Sequence, residues 1–161
     1  MTLTEATAAD REFLFDVYSA SRDSEMKLVP WTEEQKRNFL RMQFEAQDRH
    51  YRTHYPNARF QLIHHDGRRI GRLYVHESAG EVRIMDIALL PEARGCGIGS
   101  SLLREILVEA AASHRLVTLH VEFNNPARRL YRRLGFRQVA EEGVYLRMEW
   151  RPDSDRPPSA N

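Results

Sequence analysis

A chain of 161 residues is long enough for one domain with a buried core and too short for two comfortable ones. Apolar residues make up 42% and charged residues 29%, as in an ordinary globular protein, and a net charge of +1 gives no reason to expect nucleic acid or a membrane as a partner. The single cysteine excludes an internal disulfide, and neither a signal-peptide layout nor a run of membrane-spanning length occurs. We therefore predict a cytoplasmic domain over residues 1–151 and a disordered polar tail over residues 152–161.

The first half of the chain carries one strand signal, two helix patterns and a hairpin. The segment TLTEA alternates weakly and predicts a first strand, and apolar residues at helical spacing predict a helix over residues 10–22. Thr32 and Gln35 have the spacing of a capping box, which predicts the start of a second helix. Two strands follow, ARFQLIHH and RRIGRLYVHE, and the Asp66-Gly67 pair between them is a strong hairpin signal.

The second half of the chain alternates strands with helices. EVRIMDIALL predicts a long strand, and a glycine-rich loop separates it from a helix pattern that begins near Ser100. LVTLHVEF predicts a further strand, NPARRLYRRLG a short helix and VYLRMEW a last strand. Taken in chain order, these signals predict a mixed sheet with helices on its faces.

The loop from Arg94 to Gly99 places three glycines within five residues, directly before a helix. The first N–H groups of a helix lack partners and attract anions, and glycines let the backbone approach a phosphate closely. Arg94 adds a guanidinium that can bond the same phosphate. We interpret the loop as a phosphate cradle, the alternative being a turn that only permits tight strand–helix packing. A Walker loop would need a lysine after its last glycine, and a Rossmann fingerprint would need another glycine spacing.

Two motifs resemble those of the GNAT acetyltransferase superfamily. Arg94, Gly97 and Gly99 fit its signature, which is Arg or Gln, two residues, Gly, one residue, then Gly or Ala. The segment NNPARRLYRRLGF resembles a later family motif, with matches at Ala127, Leu130, Tyr131, Gly135 and Phe136. The resemblance implies an α/β fold of mixed α+β character, in which a central mixed, mostly antiparallel sheet of about six to seven strands is flanked by four helices.

The resemblance also implies acetyl-CoA as the cosubstrate, with its pyrophosphate in the glycine loop and no metal. In the family the strand before this loop is bulged and splays from the next, with pantetheine in the gap; here the apolar phase slips by one residue near Met85 and Asp86. A fully buried strand is the alternative interpretation. We expect the cofactor to be bound by Leu89, Leu90, Arg94, Gly95, Cys96, Gly97, Ile98, Gly99, Ser100 and either Asn124 or Asn125.

Acetyl transfer to an amine needs an unprotonated nucleophile and a proton for the departing thiolate. Tyr131 matches the family's thiol-protonating tyrosine, and an ordinary core tyrosine is the alternative. His120 and Glu122 lie two residues apart on one face of their strand and are the candidates for the general base. Asp86, Glu81 or a water chain to any of these residues are rivals, and for His120 the alternative is a partly buried histidine satisfied by a neighbour.

Other side chains carry weaker signals. His50 and His54 have the spacing of metal ligands but no evident third ligand, so a solvated helix face is the favoured interpretation. Cys96 has no obvious base beside it and is interpreted as a bystander. Trp31 could line an acceptor pocket, but an ordinary core position is the favoured interpretation.

Together the motifs predict an acetyl-CoA-dependent N-acetyltransferase that acts by direct attack of a bound primary amine in a ternary complex. A non-catalytic acyl-CoA-binding or sensor module on the same fold is the alternative, because a fold does not fix a function. The predicted partner is an amine-bearing acceptor, either a small molecule or a protein, with no nucleic acid and no membrane. The acceptor, the preferred acyl chain and the oligomeric state, including a homodimer, stay open at this point.

Overall fold

A computed structural model describes residues 1–152. The strands are β1 (Thr2–Glu5), β2 (Arg59–His65), β3 (Arg68–Glu77), β4 (Glu81–Leu89), β5 (Leu116–Glu122), β6 (Arg137–Glu142) and β7 (Tyr145–Trp150). The helices are α1 (Arg11–Ser21), α2 (Asp23–Met26), α3 (Glu33–His54), α4 (Ile98–Ala112) and α5 (Arg128–Arg133). None of the helices in this range combines the length and apolar character needed to cross a bilayer. Of the tail predicted to be disordered, Pro152 is described and buried, and the rest lies outside the described residues.

The seven strands form one sheet with the order β1-β2-β3-β4-β5-β7-β6. β4 and β5 are parallel, whereas β1 with β2, β5 with β7, and β6 with β7 are antiparallel pairs. The chain between the parallel strands passes through α4, since parallel neighbours need a crossover connection. This mixed, mostly antiparallel sheet with α-helices confirms the predicted fold class. The helix beyond the four predicted is α2, a single turn of four residues.

The contacts divide the chain into two compact units, the first of which comprises residues 1–74 and 86–96. In this unit α1 packs against α3. The ring of Phe44 on α3 lies 5.7 Å from the ring of Phe15 and 5.8 Å from the ring of Tyr18, both on α1. Of these two residues only Tyr18 belongs to the predicted apolar face of α1, which comprised Phe13, Leu14, Val17 and Tyr18; Phe15 was not predicted to be on it, although it is buried.

Helix α3 begins at the predicted capping box. The Thr32 hydroxyl accepts a hydrogen bond from the Gln35 N–H at 3.2 Å, and the Gln35 side-chain oxygen accepts one from the Thr32 N–H at 2.9 Å. Two backbone donors that a helix start leaves without partners are thus satisfied. The helix runs for 22 residues to His54.

The second unit comprises residues 75–85 and the described residues from Gly97 onward. β5 lies between β4 and β7; one of its faces is buried, and on the other Thr118 is buried whereas His120 and Glu122 are half-buried. Its buried residues are Val117, Thr118, Leu119 and Val121. Helix α4 buries a set of apolar residues at helical spacing, namely Leu102, Leu103, Leu107 and Ala110.

Strand β6 has no counterpart in the sequence prediction. It lies at the edge of the sheet, and five of its six residues are exposed, so it carries no apolar alternation. Its pairing with β7 is irregular between Gln138 and Ala140. The local signal that could have revealed it is Gly143, which adopts φ of +64° in the turn to β7.

Candidate functional site

The glycine-rich loop connects β4 to α4 through a left-handed backbone. Gly95 and Gly97 have φ of +75° and +80°, values that favour glycine because a Cβ would clash with the backbone. Gly97 is the N-cap of α4, and no side chain caps the helix there. The helix therefore starts at Ile98, before the predicted start near Ser100. The first-turn N–H groups have no side-chain acceptor in the part of the chain that the structure describes.

The loop glycines face open space rather than a packed neighbour. A Cβ built on Gly97 or Gly99 would meet no described atom within 4 Å. Gly71 on β3 is the contrasting case of a glycine that close packing requires, because a Cβ there would lie 2.3 Å from the carbonyl oxygen of Ala88. The geometry thus speaks against the interpretation of the loop as a device for tight packing, and it leaves room at the start of α4 for a ligand.

Two backbone groups at the end of β4 are already engaged. The Leu89 carbonyl accepts a hydrogen bond from Nε of Arg94 at 3.0 Å, which holds the exposed guanidinium at the strand end. The Leu90 N–H donates to the carbonyl of Ile70 at 2.8 Å. This N–H is therefore already bonded and is not open to pantetheine. Cys96 is an exposed free thiol that contacts the Arg94 carbonyl at 3.5 Å.

Strand β4 changes character where the phase slip is predicted. Buried and half-buried residues alternate from Glu81 to Ile84, and these four residues pair with residues 116–119 of β5. From Met85 to Leu89 every residue is half-buried. The alternation therefore ends at the residue before the predicted slip.

Helix α5 begins later than the asparagine–proline signal predicts. Its first residue is Arg128, and the side-chain oxygen of Asn125 accepts a hydrogen bond from the Ala127 N–H at 2.9 Å. The side-chain oxygen of Asn125 is thus already bonded within the turn that leads into the helix. Asn124 is exposed, and its side chain forms no hydrogen bond to the described residues, so it is the more open of the two to a ligand.

Tyr131 lies on α5 and is 8% exposed. Its ring meets the ring of Phe136 edge to face at 5.7 Å. This contact fixes the ring in one place, which suits a core tyrosine and equally a tyrosine that must present its hydroxyl at a defined point.

His120 on β5 lies between two charged side chains. Its Nδ1 is 3.1 Å from Nη2 of Arg83, and its Nε2 is 2.8 Å from a carboxylate oxygen of Glu142. Because a guanidinium only donates, Nδ1 must accept, and Nε2 must carry the proton that is donated to Glu142. His120 is thus satisfied by its neighbours, and the lone pair that a general base would use faces a permanent positive charge.

The carboxylates proposed as alternative bases lie in different surroundings. Glu122 is half-buried like His120, and the buried Val121 between them confirms that both point to one face of β5. The carboxylate of Glu81 accepts a hydrogen bond from the hydroxyl of Thr118, which is fully buried.

Asp86 forms an ion pair with Arg72 of β3, a residue that the sequence analysis missed. Arg72 is 2% exposed, donates to Oε1 of Gln47 at 2.9 Å and lies 4.7 Å from the ring centroid of Tyr74. Burial acts to lower the pKa of Arg72, but the charge of Asp86 and the nearby tyrosines outweigh it and raise that pKa above its usual value. For Tyr74 burial acts in the other direction: it raises the pKa, which keeps the phenol neutral. The missed signal is a charge inside the run IGRLYV, which is otherwise free of charged residues.

No group of three or more His, Cys, Asp or Glu side chains that could hold a metal occurs within residues 1–152. His50 and His54 on α3, which have the spacing of metal ligands, contact each other instead. Nδ1 of His54 lies 3.0 Å from the carbonyl oxygen of His50, and the two rings stack with centroids 4.2 Å apart.

Comparison with known proteins places this geometry in context. Residues 56–138 match the family model described as an acetyltransferase (GNAT) domain. The 5-NmdU N-acetyltransferase of Pseudomonas phage PaMx11 is 35% identical over 96 residues, which is 55% of this chain and 67% of that protein. An uncharacterized N-acetyltransferase of Methanocaldococcus jannaschii is 36% identical over 86 residues, which is 52% of this chain and 54% of that protein.

Solved structures share the fold at lower sequence identity. The PaiA N-acetyltransferase of Thermoplasma acidophilum, in complex with coenzyme A, has a TM-score of 0.70 at 19% identity, covering 93% of this chain and 98% of that one. A GNAT family acetyltransferase of Elizabethkingia anophelis with acetyl-CoA bound has a TM-score of 0.58 at 15% identity, covering 93% and 97%. At these identities the likeness concerns the fold.

Proposed function

The chain belongs to the GNAT family of acetyltransferases, and we propose that it transfers the acetyl group of acetyl-CoA to a primary amine by direct attack in a ternary complex. The observation that carries the proposal is the start of α4, where left-handed glycines, an uncapped helix and open space at Gly99 coincide. A helix start of this kind favours phosphate. Structures of the same fold that hold coenzyme A or acetyl-CoA support the choice of cofactor.

We assign the pyrophosphate of the cofactor to the loop and the first turn of α4. The residues that would hold it are Arg94, Gly95, Cys96, Gly97, Ile98, Gly99 and Ser100. Leu89 stays a candidate for pantetheine, and Asn124 takes precedence over Asn125 because its side chain is uncommitted. Bound acetyl-CoA supplies an activated thioester carbonyl, and the chain's part is to hold and orient it.

We assign the two proton transfers of the reaction to side chains of β5 and α5. We assign Tyr131 as the donor to the departing sulfur, since its ring is fixed by packing. Glu122 and His120 are the base candidates, and His120 can take a proton at Nδ1 only if Arg83 withdraws. Asp86 and Glu81 remain rivals, although each already accepts a bond from a buried side chain.

The acceptor amine is the least determined part of the proposal. The named acceptor of the phage relative, 5-NmdU, enters the panel of amines to be tested. Protein amines and small metabolites stay in the same panel. The cytoplasmic location also stays a prediction, which rests on the single free cysteine, Cys96.

The cofactor assignment is tested by thermal unfolding with and without coenzyme A. A ligand that binds only the folded chain raises Tm, so coenzyme A should raise the Tm of the wild type. Gly99→Val should reduce this increase while the Tm without ligand changes little, because a side chain at Gly99 meets open space and no positive φ. Gly80→Val, at another open glycine outside the loop, is the matched control and should keep the full increase. A larger increase with NAD or ATP than with coenzyme A would refute the assignment.

The activity itself is tested by thiol release from acetyl-CoA in the presence of a panel of amines. An N-acetyltransferase should release thiol with at least one amine. Tight binding of acetyl-CoA without turnover of any amine would instead favour a sensor module on the same fold.

A further inference from the structure

Helix α5 carries Tyr131, the proposed proton donor, yet the helix has few stabilising features of its own. It is six residues long, and isolated helices shorter than about 12 residues are marginal in water. Its N-cap, Ala127, provides no side-chain cap, and its first turn holds no acidic residue. The bond from the Ala127 N–H to Asn125 is local and joins α5 to no other element. The position of α5 therefore depends on contacts with the rest of the chain.

The end of α5 is held by Phe136. The Phe136 N–H donates to the carbonyl of Tyr131 at 3.0 Å, and the two rings meet edge to face. Phe136 is buried, so these contacts fix the end of the helix to the core. A helix that is fixed at one end can still pivot about that end. The direction of α5 therefore depends on what holds its start.

The start of α5 is tied to the end of β5 by the side chain of Arg128. Nη1 of Arg128 donates a hydrogen bond to the carbonyl of Phe123. Phe123 is in turn held beside the sheet, because its N–H donates to the carbonyl of Val144 at 3.0 Å, in the turn that leads into β7. Hydrogen bonds from a charged donor are stronger than those between neutral groups. The first turn of α5 is thus bonded to a backbone acceptor whose own place is set by the sheet.

The placement of Arg128 is unfavourable in two respects. A positive charge in the first turn of a helix is disfavoured by the helix dipole. The Nε group of Arg128 is buried and has no hydrogen-bond partner among the described residues, which also costs free energy. Its neighbour Arg129 avoids the second cost, because it is exposed. The hydrogen bond to Phe123 is the polar contact of Arg128 within the described chain that offsets these costs.

We propose that Arg128 is a positioning residue, which fixes the start of α5 and thereby aims the Tyr131 hydroxyl at the departing sulfur of coenzyme A. The inference rests on the proposed function, and in particular on the role of Tyr131. Because Tyr131 lies three residues after Arg128, less than one helical turn, a movement of the first turn carries the ring with it. A displacement of about 1 Å at a reacting group can lower a rate by about a hundredfold. Arg128 acts through the helix and takes no part in the proton transfer.

The effect on turnover is tested by thiol release from acetyl-CoA, with the amine of the panel that reacts fastest and at a temperature well below the Tm of every variant. Arg128→Met keeps an apolar stem and removes the donor, so it should lower kcat by about tenfold. Arg128→Lys keeps a charged donor and should restore kcat to within about threefold of the wild type. Arg129→Met removes the same charge from the exposed neighbour and, as the matched control, should keep the wild-type kcat. Equal losses in Arg128→Met and Arg129→Met would overturn the proposal, because the charge alone would then explain them.

A double-mutant cycle decides whether Arg128 acts through Tyr131. Arg128→Met should lower kcat by about tenfold in the wild type but by less than about twofold in Tyr131→Phe, where the hydroxyl to be positioned is gone. A merely structural role would lower kcat by the same factor in both backgrounds, and this result would overturn the proposal. An unchanged kcat in Tyr131→Phe would overturn it as well, since there would be no donor to position.

Amide hydrogen exchange tests the hold on α5 without substrate or cofactor. Arg128→Met should speed the exchange of the amides of residues 128–136 by about tenfold, because the first turn loses its link to β5, whereas Arg129→Met should change it by less than about twofold. Unchanged exchange in Arg128→Met, in an enzyme that is active as the wild type, would overturn the positioning role alone. A wild type that turns over no amine would instead refute acetyl transfer, and with it the role assigned through Tyr131. The two failures are therefore distinguishable.

Discussion

His120 shows that the neighbours of a side chain determine whether it is available as a base. Its imidazole made it an attractive base, yet Arg83 and Glu142 occupy both ring nitrogens and fix the tautomer. The face of β5 on which His120 and Glu122 lie followed from their spacing alone. The partners come from β4 and β6, and no pattern in β5 could reveal them.

The pH–rate profiles of variants distinguish the two base candidates, His120 and Glu122. Glu122→Gln and His120→Ala should be compared with any accepted amine, with Glu141→Gln, on exposed β6, as a control for the loss of a carboxylate. The variant that lacks the base should lose kcat/KM most at low pH and recover partly at high pH, where the amine deprotonates itself. If both variants keep the wild-type profile, the base role moves to Asp86, Glu81 or an ordered water.

Tyr131→Phe tests the proposed role of Tyr131 as the proton donor. The change keeps the ring and its contact with Phe136, so the fold should persist. If the hydroxyl acts only as charge develops on sulfur, kcat should fall by about a hundredfold with little change in the acetyl-CoA Kd measured by calorimetry. Tyr55→Phe, on a residue outside the site, serves as the control. Weaker binding at normal kcat would show that Tyr131 only positions the cofactor.

At the scale of elements, local capping decides where α3 begins. Thr32→Ala removes the acceptor for the Gln35 N–H and should lower the free energy of unfolding by about 1 kcal/mol, measured by urea denaturation. Thr53→Ala, an exposed threonine in the same helix, should change it by less than about 0.5 kcal/mol. Equal effects of the two changes would mean that the capping box does not stabilise the helix.

Elements with strong periodicity were predicted well, whereas two exposed elements were missed. The hairpin of β2 and β3, the long α3 and the buried face of α4 follow from residue spacing. An element that packs one face against a core carries apolar residues at its own structural repeat, and the sequence shows that repeat. The edge strand β6 and the single-turn α2 bury almost nothing and left no such signal. The start of α4 was misplaced because Gly97 begins the helix by its left-handed φ rather than by a capping side chain.

At the scale of the whole molecule, global stability depends on the buried charge of Arg72. Asp86→Asn leaves that charge without its counter-ion and should lower the free energy of unfolding by about 3 kcal/mol. The double variant Arg72→Met, Asp86→Leu removes both charges and should recover much of the loss. Urea unfolding followed by circular dichroism measures both. A single variant as stable as the wild type would show that Gln47 and solvent suffice to satisfy Arg72.

The sequence by itself determined the family and the fold class and located the loop that we propose binds phosphate, because these depend on short-range order: glycine spacing, helix periodicity and the sequence of elements. Tertiary structure alone decided which polar groups are free. The Leu90 N–H is taken by Ile70, Asn125 by its own turn, His120 by two charges and Asp86 by a buried arginine. The physical reason is that hydrogen bonds and ion pairs join atoms far apart in the chain, whereas residue patterns record only the chain's own period.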